Sequence, residues 1–500
     1  MEVADRGNQR WWAAVCAIAL AGLVLRVIAS RGGLWTDEAW SVIYAAQARN
    51  PLGVFLRINH DNNHHLYSLW LQAIGPAAPP LLARAPAILA GSLCVIVAAV
   101  FAARRSAVAG IVAAMLFAFA PVFVVFGSEA RGYAMMLLAA LLTLLLVGDA
   151  LDGRPMRGVR WWVGALASFG MLSHMTMAAP VEIATLWAYL ELRAAQGPDK
   201  AIGATLELMG PALLGTLGVV IFVFTAASLS PTGMRLGGYE PFSAPHYAAA
   251  LDDLALWTAG LAAPWPWIVP LALGAVALVI ALRKPEWLGP RSRLYALLIL
   301  TVPVGLGVAR AGNTSFARYY LASAIGLVFL LSEWIGRGLS ARPAVRAAAM
   351  SLVAVLLLAG GYRDWTVLTV ERGRPAAPVM DMAAIDPAGA RIAFDAPRLK
   401  AVVAVAAERT GYRARFAGGC DRADFLLASQ SRWKEPLPPT IHRCGFAMQA
   451  IDSSTTISLT GDSWVLYRAR NLQSFGVADS GRPPAAMNRR LSGRAGVAQG

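Results

Sequence analysis

Apolar runs recur along the chain from Trp11 to Gly361, each near the roughly 20 residues that a helix needs to cross a bilayer. In order they predict spans at Trp11 to Ser30, Leu81 to Ala103, Val108 to Phe126, Tyr133 to Leu151, Trp161 to Ser173 and Thr176 to Leu192. Five more follow at Leu206 to Ser228, Pro266 to Leu282, Leu294 to Ala311, Tyr319 to Ile335 and Val345 to Gly361. The expectation is an all-α polytopic membrane bundle of about eleven transmembrane helices. A shorter apolar piece, Leu66 to Gly75, ends at Pro76, Pro79 and Pro80, and reads as a juxtamembrane or re-entrant helix in the first outer loop. An amphipathic piece at Ala39 to Ala48 precedes it. The first run follows Arg6 and Arg10 and lacks a small-residue cleavage site, so it reads as a retained span.

After Gly361 the pattern changes. Short alternating segments predict a small α/β domain: strands at Arg391 to Phe394, Tyr412 to Phe416, Phe425 to Ala428, Ala447 to Ile451 and Trp464 to Tyr467, with an amphipathic helix at Pro397 to Thr410. From Asn471 the chain is rich in Gly, Ser, Pro and Arg, and disorder is expected. The predicted division is a membrane domain over 1–361, an extracytoplasmic α/β domain over 362–470 and a tail over 471–500.

Composition agrees with the pattern. The chain of 500 residues is 57% hydrophobic and 15% charged, which excludes a cytosolic enzyme, a disordered scaffold and a disulfide-framework mini-protein. Its net charge of +15 invites a nucleic-acid reading. The basic residues fall instead in short connections between apolar runs, with no basic face interleaved with aromatics, so no nucleic-acid partner is expected.

Charge placement also orients the chain. With a cytoplasmic N-terminus and Leu66 to Gly75 lying at the interface, the inside loops hold Arg104 and Arg105; Arg154, Arg157 and Arg160; Arg193 and Lys200; Arg283, Lys284, Arg291 and Arg293; and Arg337, Arg342 and Arg346. An odd number of spans then puts the C-terminal domain outside the cytoplasmic (inner) membrane. Cys16 and Cys94 lie in apolar runs as small core residues. Cys420 and Cys444 are either a disulfide or two free thiols. No repeat of the transporter type is visible.

Four polar sets share the outer face. The first is Trp35-Thr36-Asp37-Glu38, where Asp37 either acts as a general base on an acceptor hydroxyl or amine, or caps a helix starting near Glu38. The second is Asp61-Asn62-Asn63-His64-His65, ahead of Leu66 and Tyr67, which suits a divalent metal, a phosphate or a helix cap. The third is Ser128-Glu129-Ala130-Arg131-Gly132-Tyr133: Arg131 clamps a phosphate while Glu129 orients it, or the two seal a span end as an ion pair. The fourth gathers Arg310, Asn313, Arg318 and Tyr319 with His174. Arginines at an outer boundary run against the topology bias, so Arg131 and Arg318 point to an anionic headgroup at the outer leaflet.

The order of these sets resembles the GT-C superfamily of integral-membrane glycosyltransferases, in particular bacterial relatives of protein O-mannosyltransferases and the lipid A aminoarabinose transferase. The resemblance rests on Asp37-Glu38 after the first span, on Ser128-Glu129-Ala130-Arg131-Gly132-Tyr133 with Ser for the usual Gln, on Ser173-His174-Met175, and on Arg318-Tyr319-Tyr320-Leu321 late in the bundle. Asn63-His64-His65-Leu66-Tyr67 departs from the His-Pro-Pro-Leu-Tyr of many relatives. The resemblance covers roughly residues 10 to 360.

It implies inverting transfer of a sugar, as by a hexosyltransferase, from a polyprenyl-phosphate-linked donor to a glycan, lipid or protein acceptor at the outer membrane face. Asp37 is then the base, with Glu38 beside it as a second catalytic candidate. Arg131, Arg318 and Tyr319 bind the donor phosphate. Asp61, His64, His65, Glu129, Tyr133 and His174 take acceptor or orienting roles. No cofactor is certain, and a divalent metal stays open. The competing class is a transporter or flippase for an anionic lipid-linked sugar, which needs polar groups at midplane. Here the spans are nearly free of charge, with Glu182 an unexplained exception. A polymerase or ligase of O-antigen type is expected to carry its arginines in one large outer loop.

Overall fold

The computed structural model describes residues 2–230, 233–235, 240–261, 265–283, 291–418, 422–430, 435–443 and 446–469. Among the described residues sixteen α-helices build the first part, in chain order: α1 Glu2–Ala29, α2 Thr36–Gln47, α3 Pro51–Leu56, α4 His65–Ile74, α5 Pro80–Ala103, α6 Ala107–Phe119, α7 Pro121–Phe126 and α8 Tyr133–Leu151. There follow α9 Val159–Ser173, α10 Ala178–Gln196, α11 Pro198–Ser228, α12 Ala244–Ala259, α13 Ile268–Arg283, α14 Ser292–Val308, α15 Leu321–Leu339 and α16 Pro343–Val370.

Each predicted apolar run falls on helix. Among the described residues six helices are long and apolar enough to cross a membrane, within α1, α5, α8, α11, α15 and α16, the fifth of them including the short 3-10 turn at Ala317. Three shorter apolar helices, α6, α13 and α14, accompany them. The count of eleven spans is therefore not established. One run departs from expectation for a clear reason. Val108 to Phe126 breaks between α6 and α7 because Pro121 has no N–H to give the carbonyl of Phe117. Arg26 of α1, fully buried, supplies the donor: its Nη2 is 2.8 Å from Phe117 O and its Nη1 3.0 Å from Gly22 O. A Cβ on Gly91 or Gly127 would meet Arg26 Nε at 2.8 or 2.5 Å, so both glycines make room for the guanidinium.

The sequence reading missed α12, whose apolar face is interrupted by His246, Asp252 and Asp253. Glu182 ceases to be an exception. α10 begins only at Ala178, so Glu182 stands in its second turn, exposed, near the end of the bundle.

The two ends of the bundle differ. At one end Arg104 meets Asp149 at 2.7 Å, Arg154 and Arg291 meet Asp152 at 2.8 and 3.2 Å, and Arg293 meets Glu191 at 3.1 Å. Arginines from three of the connections assigned to one membrane face gather there. At the other end lie the loops that carry the four polar sets.

Beyond α16, α17 (Ala377–Ile385) and α18 (Leu399–Thr410) pack against a six-stranded sheet. Its strands are β1 Ala390–Phe394, β2 Ala414–Phe416, β3 Phe425–Ser429, β4 Thr440–Arg443, β5 Phe446–Ser454 and β6 Trp464–Ala469, in the order β2-β1-β3-β6-β5-β4. β1 runs parallel to β2 and β3, and the remaining pairs are antiparallel. Alternation along β1 sends Ile392 and Phe394 to the helices and Ala393 to the opposite face. β4 and α17 lay outside the sequence reading. Cys420, Cys444 and the tail expected to be disordered lie outside the described residues. Cys16 and Cys94 are free thiols.

α18 does more than cover the sheet. Its Ala401, Val402 and Val405 share a buried cluster with Ala39 and Val42 of α2, Tyr67 and Leu71 of α4, Ala83 and Ala87 of α5, and Ala130. The C-terminal sheet is thereby seated on the end of the bundle that carries the polar sets.

Candidate active site

α2 begins at Thr36, with Trp35 as its extended N-cap, so Asp37 lies inside the first turn and caps nothing. Its neighbour Glu38 makes the return bond to the Trp35 N–H at 3.2 Å. Two adjacent acids in a first turn suit the positive end of the helix dipole. They are separated by about 100° around the axis, and that separation decides their fates.

Glu38 turns inward and is fully buried. Arg84, equally buried, reaches it through Nη2 at 2.6 Å and Nε at 2.8 Å, and the Ala130 N–H donates at 2.6 Å. Burial works to raise the Glu38 carboxyl, and the Arg84 pair outweighs it and holds the group below the ordinary glutamate value. Arg84 also donates to the carbonyls of Ser30 and Gly33, both at 2.8 Å, so it ties α5 to the end of α1 and the start of α2. Glu38 stands alongside Asp37 in sequence but makes no contact with the arginines Asp37 faces; it holds the scaffold.

Asp37 faces the centre of the site, with its side chain 27% exposed. Its Oδ2 receives Arg318 Nη1 at 3.1 Å and lies 3.0 Å from Arg131 Nη1. Asn62 completes the frame: its Nδ2 donates to Asp37 O at 3.0 Å and its Oδ1 accepts from Arg131 Nη2 at 2.7 Å. Asn62 stood in the second polar set without a role of its own. A side-chain amide that donates and accepts at once can bridge an acid's backbone to an arginine, and nothing in a linear sequence marks that pairing.

The third set lies on the loop between α7 and α8. Gly132 is required there, because a Cβ would stand 1.8 Å from Ser173 O where the loop crosses the end of α9. That crossing packs Tyr133 against His174 with ring centroids 4.2 Å apart, and His64 against His174 at 4.8 Å, both pairs tilted by 32°. Burial, then Arg131, hold both His64 and His174 well below the ordinary histidine value, so both rings are neutral at neutral pH. His174 Nδ1 accepts from the Thr176 N–H at 3.1 Å.

Glu129 is fully buried 3.5 Å from Arg131 Nη1, and neither of its oxygens has a hydrogen-bond partner. Burial pushes its carboxyl up to about 7, against the pull of Arg131. The same lack of partners marks Arg131 Nε and Nη1, Arg318 Nε and His64 Nε2. Arg131 Nη1 is close enough to Asp37 and Glu129 for ion pairing without the angle of a hydrogen bond. Its guanidinium lies 5.0 Å from the Tyr133 ring, and that of Arg318 lies 4.2 Å from Phe316 and 5.7 Å from Tyr319.

The second set is divided. Asp61 pairs with His60 at 2.7 Å, His65 stacks on Phe55 with centroids 5.4 Å apart, and only His64 joins the centre. Asp61, His64 and His65 therefore do not converge on one cation, and no group of three His, Cys, Asp or Glu among the described residues is placed to hold a metal. In the fourth set Arg310 is exposed and Asn313 pairs with the backbone of Glu240, leaving Arg318 and Tyr319 at the site.

Behind Arg318 and Tyr319 lies a small apolar pocket between α8, α10 and α15, lined by Met136, Leu137, Pro180, Leu321, Ala322 and Ile325. Two further arginines escaped the sequence reading. Arg84 is the partner of Glu38 described above. Arg372 is buried, with Nη1 2.6 Å from Ala29 O and Nη2 2.8 Å from Ser128 O and Oγ.

No family model matches the chain, and no curated protein does. Solved structures do. ArnT from Cupriavidus metallidurans in the apo state superposes with a TM-score of 0.54 at 13% identity, over 92% of this chain and 98% of that one. The same protein bound to undecaprenyl phosphate gives 0.53 at 13% identity, over 91% and 97%. Over 92% of its length, the chain has the fold of ArnT.

Proposed function

We propose that this chain transfers a sugar from a polyprenyl-phosphate-linked donor to a glycan, lipid or protein acceptor at the outer face of the cytoplasmic membrane, with inversion and with Asp37 as general base. In this reading residues 1–361 are the transferase bundle, the N-terminus is cytoplasmic, and 362–470 form an extracytoplasmic domain. The observation that carries it is the set of buried, unpartnered guanidinium donors on Arg131 and Arg318 beside a small apolar pocket. Buried polar groups in a folded protein are ordinarily satisfied, so donors left open beside apolar lining fit an anion carried on a lipid chain. ArnT, which shares the fold, was crystallised with undecaprenyl phosphate.

The chemistry follows from the contacts. Without substrate, Asp37 Oδ2 is the anion that the two arginines hold. A donor phosphate entering the site competes for the same guanidinium groups and releases the carboxylate toward the acceptor. The acceptor oxygen or nitrogen then attacks the anomeric carbon, its proton passes to Asp37, and the bond from that carbon to the phosphate oxygen breaks. The electron pair leaves with the polyprenyl phosphate, whose growing charge Arg131 and Arg318 stabilise. His64 and His174, neutral and packed against Tyr133, form the wall where an acceptor or sugar hydroxyl is oriented, and Tyr319 flanks the phosphate. Glu38 takes a scaffolding role through Arg84.

The test is sugar release from a panel of radiolabelled polyprenyl-phosphate sugars by the purified, lipid-reconstituted protein with a broad acceptor mixture, beside Asp37→Asn. Turnover of one donor that is lost in the variant is expected. Tight donor binding with no release by the unaltered protein overturns the transferase reading and favours a flippase or transporter.

A further inference from the structure

The first turn of a helix leaves N–H groups to be satisfied from outside, usually by a Ser, Thr, Asp or Asn at the N-cap. α2 has Trp35 there, which offers no such oxygen. The oxygen arrives from 426 residues away: Asp462 Oδ2 accepts from the Thr36 N–H at 2.8 Å, and Asp462 Oδ1 accepts from Thr36 Oγ1 at 2.6 Å. Thr36 directly precedes Asp37, and Asp462 is buried, on the turn that leads into β6.

That turn is itself locked. Asp462 N–H donates to Arg372 O at 3.1 Å. Gly373 and Gly461 both have positive φ, and a Cβ on Gly373 would stand 1.8 Å from Asp462 O, so only glycine permits the crossing. Arg372 in turn donates to Ser128, the residue before Glu129. One turn of the C-terminal sheet thus reaches both sides of the site. A second bond, from Trp40 Nε1 to Arg398 O at 3.0 Å, holds the next turn of α2 against the same unit.

We propose that Asp462 is a positioning residue for the transferase site: as the N-cap of α2 supplied by the C-terminal sheet, it sets the placement of Asp37 between Arg131 and Arg318. The inference rests on the transferase reading for its catalytic consequence, and on geometry alone for its structural one. Burial raises the Asp462 carboxyl to about 6, and the two Thr36 bonds work against that rise, so the cap remains an anion at neutral pH.

The full-length protein in liposomes tests this with two measurements on Asp462→Ala, Asp462→Asn and Thr36→Val, with Asp452→Asn on the exposed Arg374 pair as a control. The first is amide hydrogen exchange. Faster exchange across residues 36–41 in Asp462→Ala and Thr36→Val, with residues 464–469 unchanged, is expected; unchanged exchange at 36–41 in both overturns the inference, whether or not the protein turns over. The second is kinetics with the donor identified above. Asp462→Ala lowers kcat by about tenfold while the donor KM shifts less than about twofold, since the base is displaced and the phosphate clamp is kept. Asp462→Asn, which keeps an acceptor for the Thr36 N–H, retains most of the rate, and the control keeps all of it. Loss in KM with kcat intact overturns the inference. Absence of transfer by the unaltered protein overturns the transferase reading and leaves the cap to be decided by exchange.

Discussion

Arg318 Nη1 stands 3.1 Å from Asp37 Oδ2, although 281 residues separate them. The contact joins the first turn after the first span to the entry of α15, and Arg131 shares the same oxygen from a third loop. A carboxylate held by two arginines occupies the position that the donor phosphate takes in the proposed reaction.

Asp37→Asn removes the base and also the carboxylate that competes for the arginines. Transfer falls by about 10²- to 10⁴-fold, the usual worth of a positioned base. Undecaprenyl phosphate binds at least as tightly as before. Filter binding beside single-turnover transfer checks both halves, and weakened lipid binding would contradict the displacement of Asp37 by phosphate.

Arg318→Ala removes one arm of the phosphate clamp and costs about 10²- to 10³-fold in kcat, as does loss of an electrostatic donor at a developing charge. Arg318→Lys recovers part of this, because it restores the charge without the planar fork. Steady-state kinetics on reconstituted protein decide it, and an unchanged kcat returns Arg318 to packing.

Glu38 and Arg84 act on stability. Either truncated alone leaves a buried charge without its partner, at about 3–5 kcal/mol. Glu38→Ala and Arg84→Ala therefore lower the melting temperature in detergent, while paired replacement by apolar residues recovers much of it. A Glu38 variant with normal stability and no activity would place that carboxylate in the chemistry.

Glu129, raised to about 7 in the folded protein, gives a defined pH signature. Its contribution to stability is fully present below the ordinary glutamate value of 4.5 and is lost as pH rises to about 7, because the unfolded chain ionises first. Glu129→Gln flattens the stability profile across that window. Thermal melts from pH 4 to 8 compare the two.

Topology is tested at two exposed positions, Arg57 and Arg157. In a background without native cysteines, Arg57→Cys labels only from outside the cell and Arg157→Cys only from inside. The same accessibility for both would separate the polar sets from the membrane face assigned to them.

Asp37, Arg131 and Arg318 were legible in the sequence because a charge at the outer border of a span is rare enough to demand an explanation. Their order along the chain resembles that of the GT-C superfamily. Asp37 and Glu38 could not be told apart, since a helix turn that sends neighbours to different faces is visible only once its start is fixed at Thr36. Arg84, Arg372 and Asn62 stayed hidden because each acts on backbone carbonyls or on a partner tens to hundreds of residues away, and composition carries no trace of such pairing. Asp462 is the extreme case. A helix whose cap is donated by another part of the chain looks uncapped in sequence.

Arg372 has a consequence for the order in which the protein is made. Its guanidinium holds the end of α1 through Ala29 and the loop before α8 through Ser128, so those early segments wait for a residue synthesised long after them. A ribosome-bound chain can thread its helices into the bilayer one after another while the loop bearing Glu129 and Arg131 still lacks its clamp. A chain that ends before this arginine lacks the donor that ties Ala29 to Ser128.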